Sequence, residues 1–378
     1  MRYLMAQPEV VPDTYQNPPA HPAIDANPSA VTKCSMLEQM PKWLICIPLT
    51  LQWLWLSIRY QSLTLPTVAN PDITAGGLVG EGKLEYFESM GPIALSATAA
   101  YCALPNTRSY TSHELQSILD HAGLSFPVIA KPDVGLCGHG VRLVATAHEL
   151  LSYLAAFPED ETVVLQQYLA QDGEAGIFYV RDPDADAGSI IGLALRSFPR
   201  ITGDGRHSVA QLIAADPRAQ RLLRSTKHQS SYDPDRLPAA NEMVRLATIG
   251  STRVGGLYAD GCEHITPELV SAIDAIARDM PNFYFGRFDV RFDSLEQLAA
   301  GRAFSIMEIN GAGSEAIQAW DPNTSVIAGF ATIFRKQRIL FAIGNALRRK
   351  GFKPLSVFAL AQLNRRQNRL IARYPPSN

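Results

Sequence analysis

The chain has 378 residues, enough for two or three domains of the usual roughly 100–200 residues, and its 47% hydrophobic and 19% charged composition is that of an ordinary soluble globular protein. The net charge of −2 is unevenly spread: eleven of the 34 lysines and arginines follow Asp321 and no acidic residue does, so an acidic body ends in a basic segment. Five cysteines (Cys34, Cys46, Cys102, Cys137 and Cys262) show no C-x-x-C or Cys/His spacing, which argues against a disulfide framework or a zinc site and for reduced thiols in a cytoplasmic protein.

Residues 1–35 carry Pro8, Pro12, Pro18, Pro19, Pro22 and Pro28 and few bulky apolar groups. Such a segment buries too little surface to offset its ordering entropy, which predicts a disordered or draped tail. Residues 36–61 predict an apolar, Trp-rich helix. Its sixteen uncharged residues between Lys42 and Arg59 fall short of the ~20 that span a bilayer, and Pro48 and Gln52 interrupt them. The segment also lacks the basic n-region and small-residue cleavage site of a signal peptide. Core packing, a dimer contact, or a surface-lying helix with Trp43, Trp53 and Trp55 at a membrane interface are the readings it leaves open. Residues 62–112 are short and turn-rich, with a Gly80–Lys83 turn that enters a helix-like run.

Residues 113–172 read as α+β: a helix (HELQSILDHAG) stopping at Gly123, a buried strand ending in Lys131-Pro132, the glycine-rich loop DVGLCGHG, a strand, a helix, and the strand TVVLQQYL. This order differs from the strand–GxxxxGK–helix of a P-loop. In residues 173–325, GIFYVRD, SIIGLALRS and VRLATI read as antiparallel strands, GDGRHSV opens a helix, and the helix PELVSAIDAIARDM precedes the strand pair GRFDVRFDS and FSIMEIN. In the first of the pair, Arg287, Asp289, Arg291 and Asp293 alternate with Phe288, Val290 and Phe292, the period of a strand with one apolar and one charged face. In the second, Ile306, Glu308 and Asn310 interleave with Met307 and Ile309. Paired, the two strands gather Asp289, Glu308 and Asn310 into an all-oxygen cluster suited to a hard cation such as Mg²⁺, with Arg287 on the same side. A half-exposed hairpin with solvated charges is the alternative. Residues 326–378 predict two amphipathic helices, 326–349 and 355–373, the second with Arg365, Arg369 and Arg373 on one stripe. The basic segment lacks the interleaved aromatics of a nucleic-acid site.

Taken together, the stretch from about Gly80 to Gly313 resembles the ATP-grasp superfamily of ligases. Its nucleotide features are similar to those of D-alanine:D-alanine ligases, and some segments are similar to cyanophycin synthetases and bifunctional glutathione synthetases. The resemblance implies an α+β fold in which a small subdomain (113–172) and a large subdomain with a metal site (173–325) clamp ATP, flanked by a short N-terminal substrate-side region (62–112) and C-terminal helices. Lys83 and Lys131 would be the family's two ATP-binding lysines, and Gly135, Gly138 and Gly140 would line the loop over the triphosphate, with His139 beside the γ-phosphate. Gln166 and Gln167 stand where the ligase pattern usually has an adenine-binding glutamate, Leu169 would close on the ring, and Glu174 matches a ribose-binding glutamate. Asp289, Glu308 and Asn310 take the positions of Mg²⁺ ligands, with Mn²⁺ as an alternative ion, and Arg287 that of the residue stabilising the transferring phosphoryl group.

GDGRHSV and LATIGSTRVGG resemble acceptor-side loops, although Ser251–Gly256 departs from the related Asn-x-Ser-Thr-Gly-Gly. Arg200, Arg206, His207 and Arg253 would meet an anionic substrate or lie on solvated surface. Gly311-Ala312-Gly313-Ser314 replaces the Ser-Pro-Gly turn of a dipeptide ligase at the substrate end of the site. The implied activity is an ATP-dependent carboxylate–amine ligase acting through an acylphosphate, on small-molecule substrates, as a homodimer. A kinase acting on a small-molecule hydroxyl and a membrane-associated nucleotide-binding protein are the rivals.

Overall fold

Short apolar runs bounded by turn residues give eleven strands in the computed structural model, which describes residues 34–223, 232–248 and 250–378. The expectation of a disordered or draped tail falls on residues 1–33, outside the described residues, except for Cys34 and Ser35. In chain order the strands are β1 (Tyr101–Pro105), β2 (Val128–Pro132), β3 (Arg142–Val144), β4 (Thr162–Gln167), β5 (Gly173–Val180), β6 (Ser189–Ser197), β7 (Arg200–Thr202), β8 (Met243–Arg245), β9 (Leu257–Asp260), β10 (Phe285–Phe292) and β11 (Phe304–Asn310).

Four strands form a small sheet in the order β1-β4-β2-β3, every pair antiparallel. The helix Ser112–His121 covers it, started by a capping box in which the Thr111 hydroxyl accepts from the Glu114 amide and the Glu114 carboxylate accepts from that of Thr111. Leu115 and Leu119 of this helix, and Leu150 and Tyr153 of the helix Ala147–Ala156, bury against Val128, Ala130, Val163 and Leu165. Strand β1 comes from the stretch that reads as turn-rich; its five residues pair with β4 through the edge that β4 turns away from β2.

The large sheet runs β11-β10-β5-β6-β9, again antiparallel throughout, while β7 and β8 form a separate two-stranded ribbon. One face is apolar and packs on the helix Pro267–Arg278, where Leu269, Ile273 and Ile276 meet Ile177, Phe288 and Val290. The other face carries the charges. The alternation read along β10 is present with all eight of its residues buried, whereas β11 keeps Met307, Glu308 and Asn310 partly exposed, so a solvated charged face is excluded for β10 only. The interleaving read along β11 is also corrected. Ile309 opposes Phe288 and Ile306 opposes Val290, both on the apolar side, which requires one extra residue; Met307 is that residue, in a bulge opposite Asp289 and Val290. The bulge leaves Glu308 directly opposite Asp289 and Asn310 opposite Arg287.

The helix Lys42–Arg59 lies along the helix Val326–Arg349. Trp53 meets Phe341 edge-on at 4.9 Å, and the Gln52 side chain donates to the Phe334 carbonyl at 2.8 Å. Among the described residues no helix is long and apolar enough to cross a membrane. The turn that follows is fixed to the large sheet by Asn70, which has no solvent exposure. Its Nδ2 donates to the carbonyls of Gly76 (2.9 Å) and Phe285 (2.8 Å), and its Oδ1 accepts from the amides of Tyr284 (2.9 Å) and Phe285 (3.1 Å). Asn70→Ala strands three backbone groups, the amides of Tyr284 and Phe285 and the Phe285 carbonyl, while the Gly76 carbonyl keeps the Ala312 amide, so urea unfolding of this variant is expected to show a loss of roughly 2–4 kcal/mol; a loss below that range would mean that water or relaxation replaces the clamp.

Candidate active site

The charged face of the large sheet is a continuous ladder of acids and arginines. Asp289, 1% exposed, accepts from Arg287 at both oxygens, Nε to Oδ1 at 2.6 Å and Nη2 to Oδ2 at 3.0 Å. Arg196 bridges Asp289 Oδ2 (3.2 Å) and Glu174 Oε1 (3.0 Å), and Arg291 pairs with Glu174 Oε2 at 3.3 Å. The Asn310 amide also donates to Asp289 Oδ2, at 3.2 Å. Burial alone would raise the Asp289 carboxyl, but Arg287 and Arg196 outweigh it and hold the group below the usual carboxylate range. Arg287 further donates to the Glu315 carbonyl at 3.0 Å, which fixes its guanidinium at the end of β10.

The two lysines approach from the small sheet. Lys131 closes β2 and is 5% exposed; its Nζ donates to Gln166 Oε1 (2.7 Å) and to the Met307 carbonyl (2.8 Å), the residue of the bulge. The bulge therefore both aligns Glu308 with Asp289 and turns a backbone carbonyl to the lysine. Burial pushes Lys131 down to about 7, against a weaker pull upward from Glu308. Lys83 opens the helix Lys83–Glu88 and is also buried, which excludes an exposed helix-start lysine. Its Nζ is 3.3 Å from Glu308 Oε1 and donates to the Asp133 carbonyl at 3.3 Å. It lies close over Gly135, where a Cβ would sit 2.9 Å from the ammonium and push it aside. Cys137, Gly138 and Gly140 of the same loop all have positive φ, and His139 is partly exposed between them.

The remaining sequence-predicted residues divide. Gln166 is buried with its carbonyl oxygen committed to Lys131, whereas Gln167 is exposed beside buried Leu169. Glu174 has both oxygens engaged by arginines. Arg253 donates from Nη2 to Ser377 Oγ at 3.0 Å, and its Nε reaches the Cys137 carbonyl in the glycine-rich loop at 3.4 Å. Arg200 pairs with Asp172 at 3.1 Å, and Arg206 and His207 fold over Asp204, with His207 Nδ1 at 2.5 Å, in an exposed turn. The structure therefore does not bring those three into the ladder. Gly311 and Gly313 serve a close backbone approach: a Cβ at Gly311 would lie 2.7 Å from the Gly76 oxygen, and the Gly313 amide donates to the Gly77 carbonyl at 2.6 Å. Ser314 is buried and donates to the Gly311 carbonyl at 2.6 Å.

Two residues in the site escape the sequence reading. Arg196 is the sole charge on β6, which was the available signal. Glu81 lies two positions before Lys83; burial pushes its carboxyl up to about 7, and its Oε2 is buried without a hydrogen-bond partner among the described residues. Among the described residues no group of three or more His, Cys, Asp or Glu is placed to hold a metal. The candidate ligand set is instead two carboxylates, Asp289 and Glu308, and the amide Asn310.

Because Lys131 is held near 7 in the folded state against 10.5 in the unfolded chain, unfolding takes up a proton between those values. Stability of the nucleotide-free protein should rise with pH across that window, by up to ~1.4 kcal/mol per pH unit from this group. Urea unfolding from pH 7 to 10 is expected to show this rise in the wild type and its loss in Lys131→Met; parallel slopes would contradict it.

Residues 94–181, which span the small sheet and β5, match the family model described as the RimK-like ATP-grasp domain. Over 122 residues the chain is 27% identical to the glutathione biosynthesis bifunctional protein GshAB of Streptococcus agalactiae, covering 31% of this chain and 15% of that protein. The chain thus matches only a small part of the length of its curated relative. Among solved structures it is similar to a bifunctional glutathione synthetase from Pasteurella multocida (17% identity, 73% of this chain and 38% of that chain, TM-score 0.38). It is also similar to a D-alanine–D-alanine ligase from Bacillus anthracis complexed with ATP (14% identity, 70% of this chain and 65% of that chain, TM-score 0.38). The expectation of a mixed helix and sheet fold is met, and the ATP-grasp resemblance is supported over residues 94–181, where the chain matches the RimK-like ATP-grasp model.

Proposed function

We propose that the chain is an ATP-dependent carboxylate–amine ligase that forms an amide bond through an acylphosphate and releases ADP and phosphate. The observation that carries this reading is the convergence of Lys83, Lys131, Arg287 and the oxygen set Asp289, Glu308 and Asn310 where the small sheet meets the charged face of the large one. The oxygen set fits Mg²⁺ by donor chemistry: Asp289 and Glu308 are direct cross-strand partners, Asn310 touches Asp289, and all three offer the hard oxygen donors that Mg²⁺ takes, Mn²⁺ being the alternative ion. Mg²⁺ bound there supplies charge neutralisation to the phosphate oxygens of ATP.

The chain's own residues do the rest. Lys131, poised near neutrality by burial, regains full charge beside a triphosphate, and Lys83 over Gly135 meets the same phosphates through the glycine-rich loop. Arg287, held in place by Asp289 and the Glu315 carbonyl, faces the charge that develops as a substrate carboxylate attacks the γ-phosphorus and ADP leaves. An amine then attacks the acyl carbon, the amide forms, and phosphate departs. Closure of the small sheet on the large one would exclude water from the acylphosphate. In this reading Gln167, which ends β4, and Leu169 just beyond it meet the adenine ring. A ribose contact at Glu174 requires Arg196 or Arg291 to release one of its oxygens. A homodimer in the cytoplasm belongs to the same reading, and light scattering checks the mass.

A product-resolved assay tests the reading. Purified protein with Mg²⁺ and ATP, offered pooled amino acids and small carboxylic acids, is expected to give ADP, free phosphate and a new amide mass in stoichiometric amounts. ADP with a phosphorylated product and no free phosphate would make it a kinase instead. In that assay Arg287→Lys, which keeps the charge but loses the two-pronged contact with Asp289, is expected to lower kcat by roughly 10²–10³ with ATP binding changed only a few-fold; an unchanged kcat would remove Arg287 from the chemistry.

A further inference from the structure

Among the described residues the helix Lys42–Arg59 is anchored on one side and exposed on the other. Ile45 and Leu56 are buried beneath it, and Trp53, a sequence candidate for an interface, turns inward to Phe341 with its indole N–H donating to the Leu63 carbonyl at 3.1 Å. Its outer face exposes Trp43 (65%), Ile47 (47%), Leu51 (63%), Leu54 (46%), Trp55 (53%) and Ile58 (79%). Apart from the adjacent Leu54 and Trp55, these positions are three or four residues apart, and together they form one apolar stripe about 22 Å long, at 1.5 Å per residue. Soluble surfaces rarely leave such a stripe uncovered.

We propose that this face docks, lying flat, on an anionic lipid surface. The charges at its rim decide the partner. Lys42 and Arg59, both exposed, close the stripe at its two ends, and the Arg59 guanidinium sits 5.6 Å from the Trp55 ring. No acidic residue occurs between Glu38 and Asp72, and Glu38 is turned inward to Arg218 (2.9 Å) and Arg221 (3.0 Å). A second copy packing its own stripe about a two-fold axis would set Lys42 against Arg59, like charge against like, with no acid on the face to offset either. A layer of phosphate headgroups meets both ends at once. Trp43 and Trp55 stand near opposite ends of the stripe, where the amphipathic indole favours the boundary between headgroup and acyl chain. The helix is too short and too firmly tied to its neighbour to cross, so it lies in the plane.

Co-sedimentation of the full chain with vesicles tests this. With phosphatidylglycerol/phosphatidylcholine vesicles the wild type should pellet and its tryptophan emission should shift to the blue; with phosphatidylcholine alone both effects should be much weaker. The surface variant Ile47→Ser/Leu51→Ser/Ile58→Ser should lose binding tenfold or more, and Lys42→Gln/Arg59→Gln should lose roughly fivefold per charge, with the difference shrinking as salt rises. Unchanged thermal melts identify these as surface effects, and the charge variant keeps the test open if the serine variant fails to fold. The proposal is overturned if the wild type stays in solution, if both variants pellet like wild type, or if the serine variant splits a dimer that light scattering detects in the wild type, which would assign the face to a second copy.

Discussion

The buried ladder of Glu174, Arg196, Asp289, Arg287 and Arg291 is the constraint on which the site depends. Burying a charge is costly unless a partner shares the low-dielectric surroundings, and here each carboxylate is shared between two guanidinium groups. Three arginines against two acids leave the ladder with one excess positive charge, and Lys131 and Lys83 add to it while Glu308 offsets one. A face so arranged is compact without ligand yet electrostatically short of an anion, which is what a triphosphate supplies. Lys131 is depressed chiefly by burial, against an upward pull from Glu308, and its Nζ contacts are the neutral oxygens of Gln166 and Met307.

Backbone features beside and behind the ladder set its geometry. The bulge at Met307 is a local event, one extra residue in β11, yet it keeps Ile306 and Ile309 both in the apolar core while bringing Glu308 opposite Asp289. The glycine-rich loop is propped from behind by the helix Val357–Arg373 and the residues after it. Gln367 donates to the Gly135 carbonyl at 3.1 Å, the Tyr374 hydroxyl donates to the Val134 carbonyl at 2.5 Å, and the Tyr374 ring stacks on Phe157 at 5.3 Å. The basic segment apparent in the sequence is therefore partly structural: Arg366 pairs with Glu161, and its helix holds the loop over which Lys83 lies.

Much of this was legible in the residues because the periodicities are strong. The alternation of β10, the lysine at the end of β2, the glycines that follow it and the helix ends at Gly123 and Arg349 all lie where local pattern places them. What was not legible depended on register or on a partner distant in sequence. No local pattern marks a bulge, so Ile306 read as a neighbour of Glu308 on one face. Gln166 read as an adenine contact because nothing nearby in the sequence shows that Lys131 claims it. Strands β1 and β9 take their order from neighbours, β4 and β6, more than from their own composition. Gly311 and Gly313 read as substrate contacts, whereas a turn more than two hundred residues earlier presses on them.

The proposal most open to direct test is that Asp289, Glu308 and Asn310 together hold the metal ion of a bound nucleotide. A crystal structure with Mn²⁺ and a non-hydrolysable ATP analogue, phased on the manganese anomalous signal, measures this directly. The account predicts a manganese peak on the carboxylate oxygens of Asp289 and Glu308, with the Asn310 side chain in reach and Arg287 beside the phosphates. Manganese bound elsewhere, with Asp289 still held by both arginines, would contradict it.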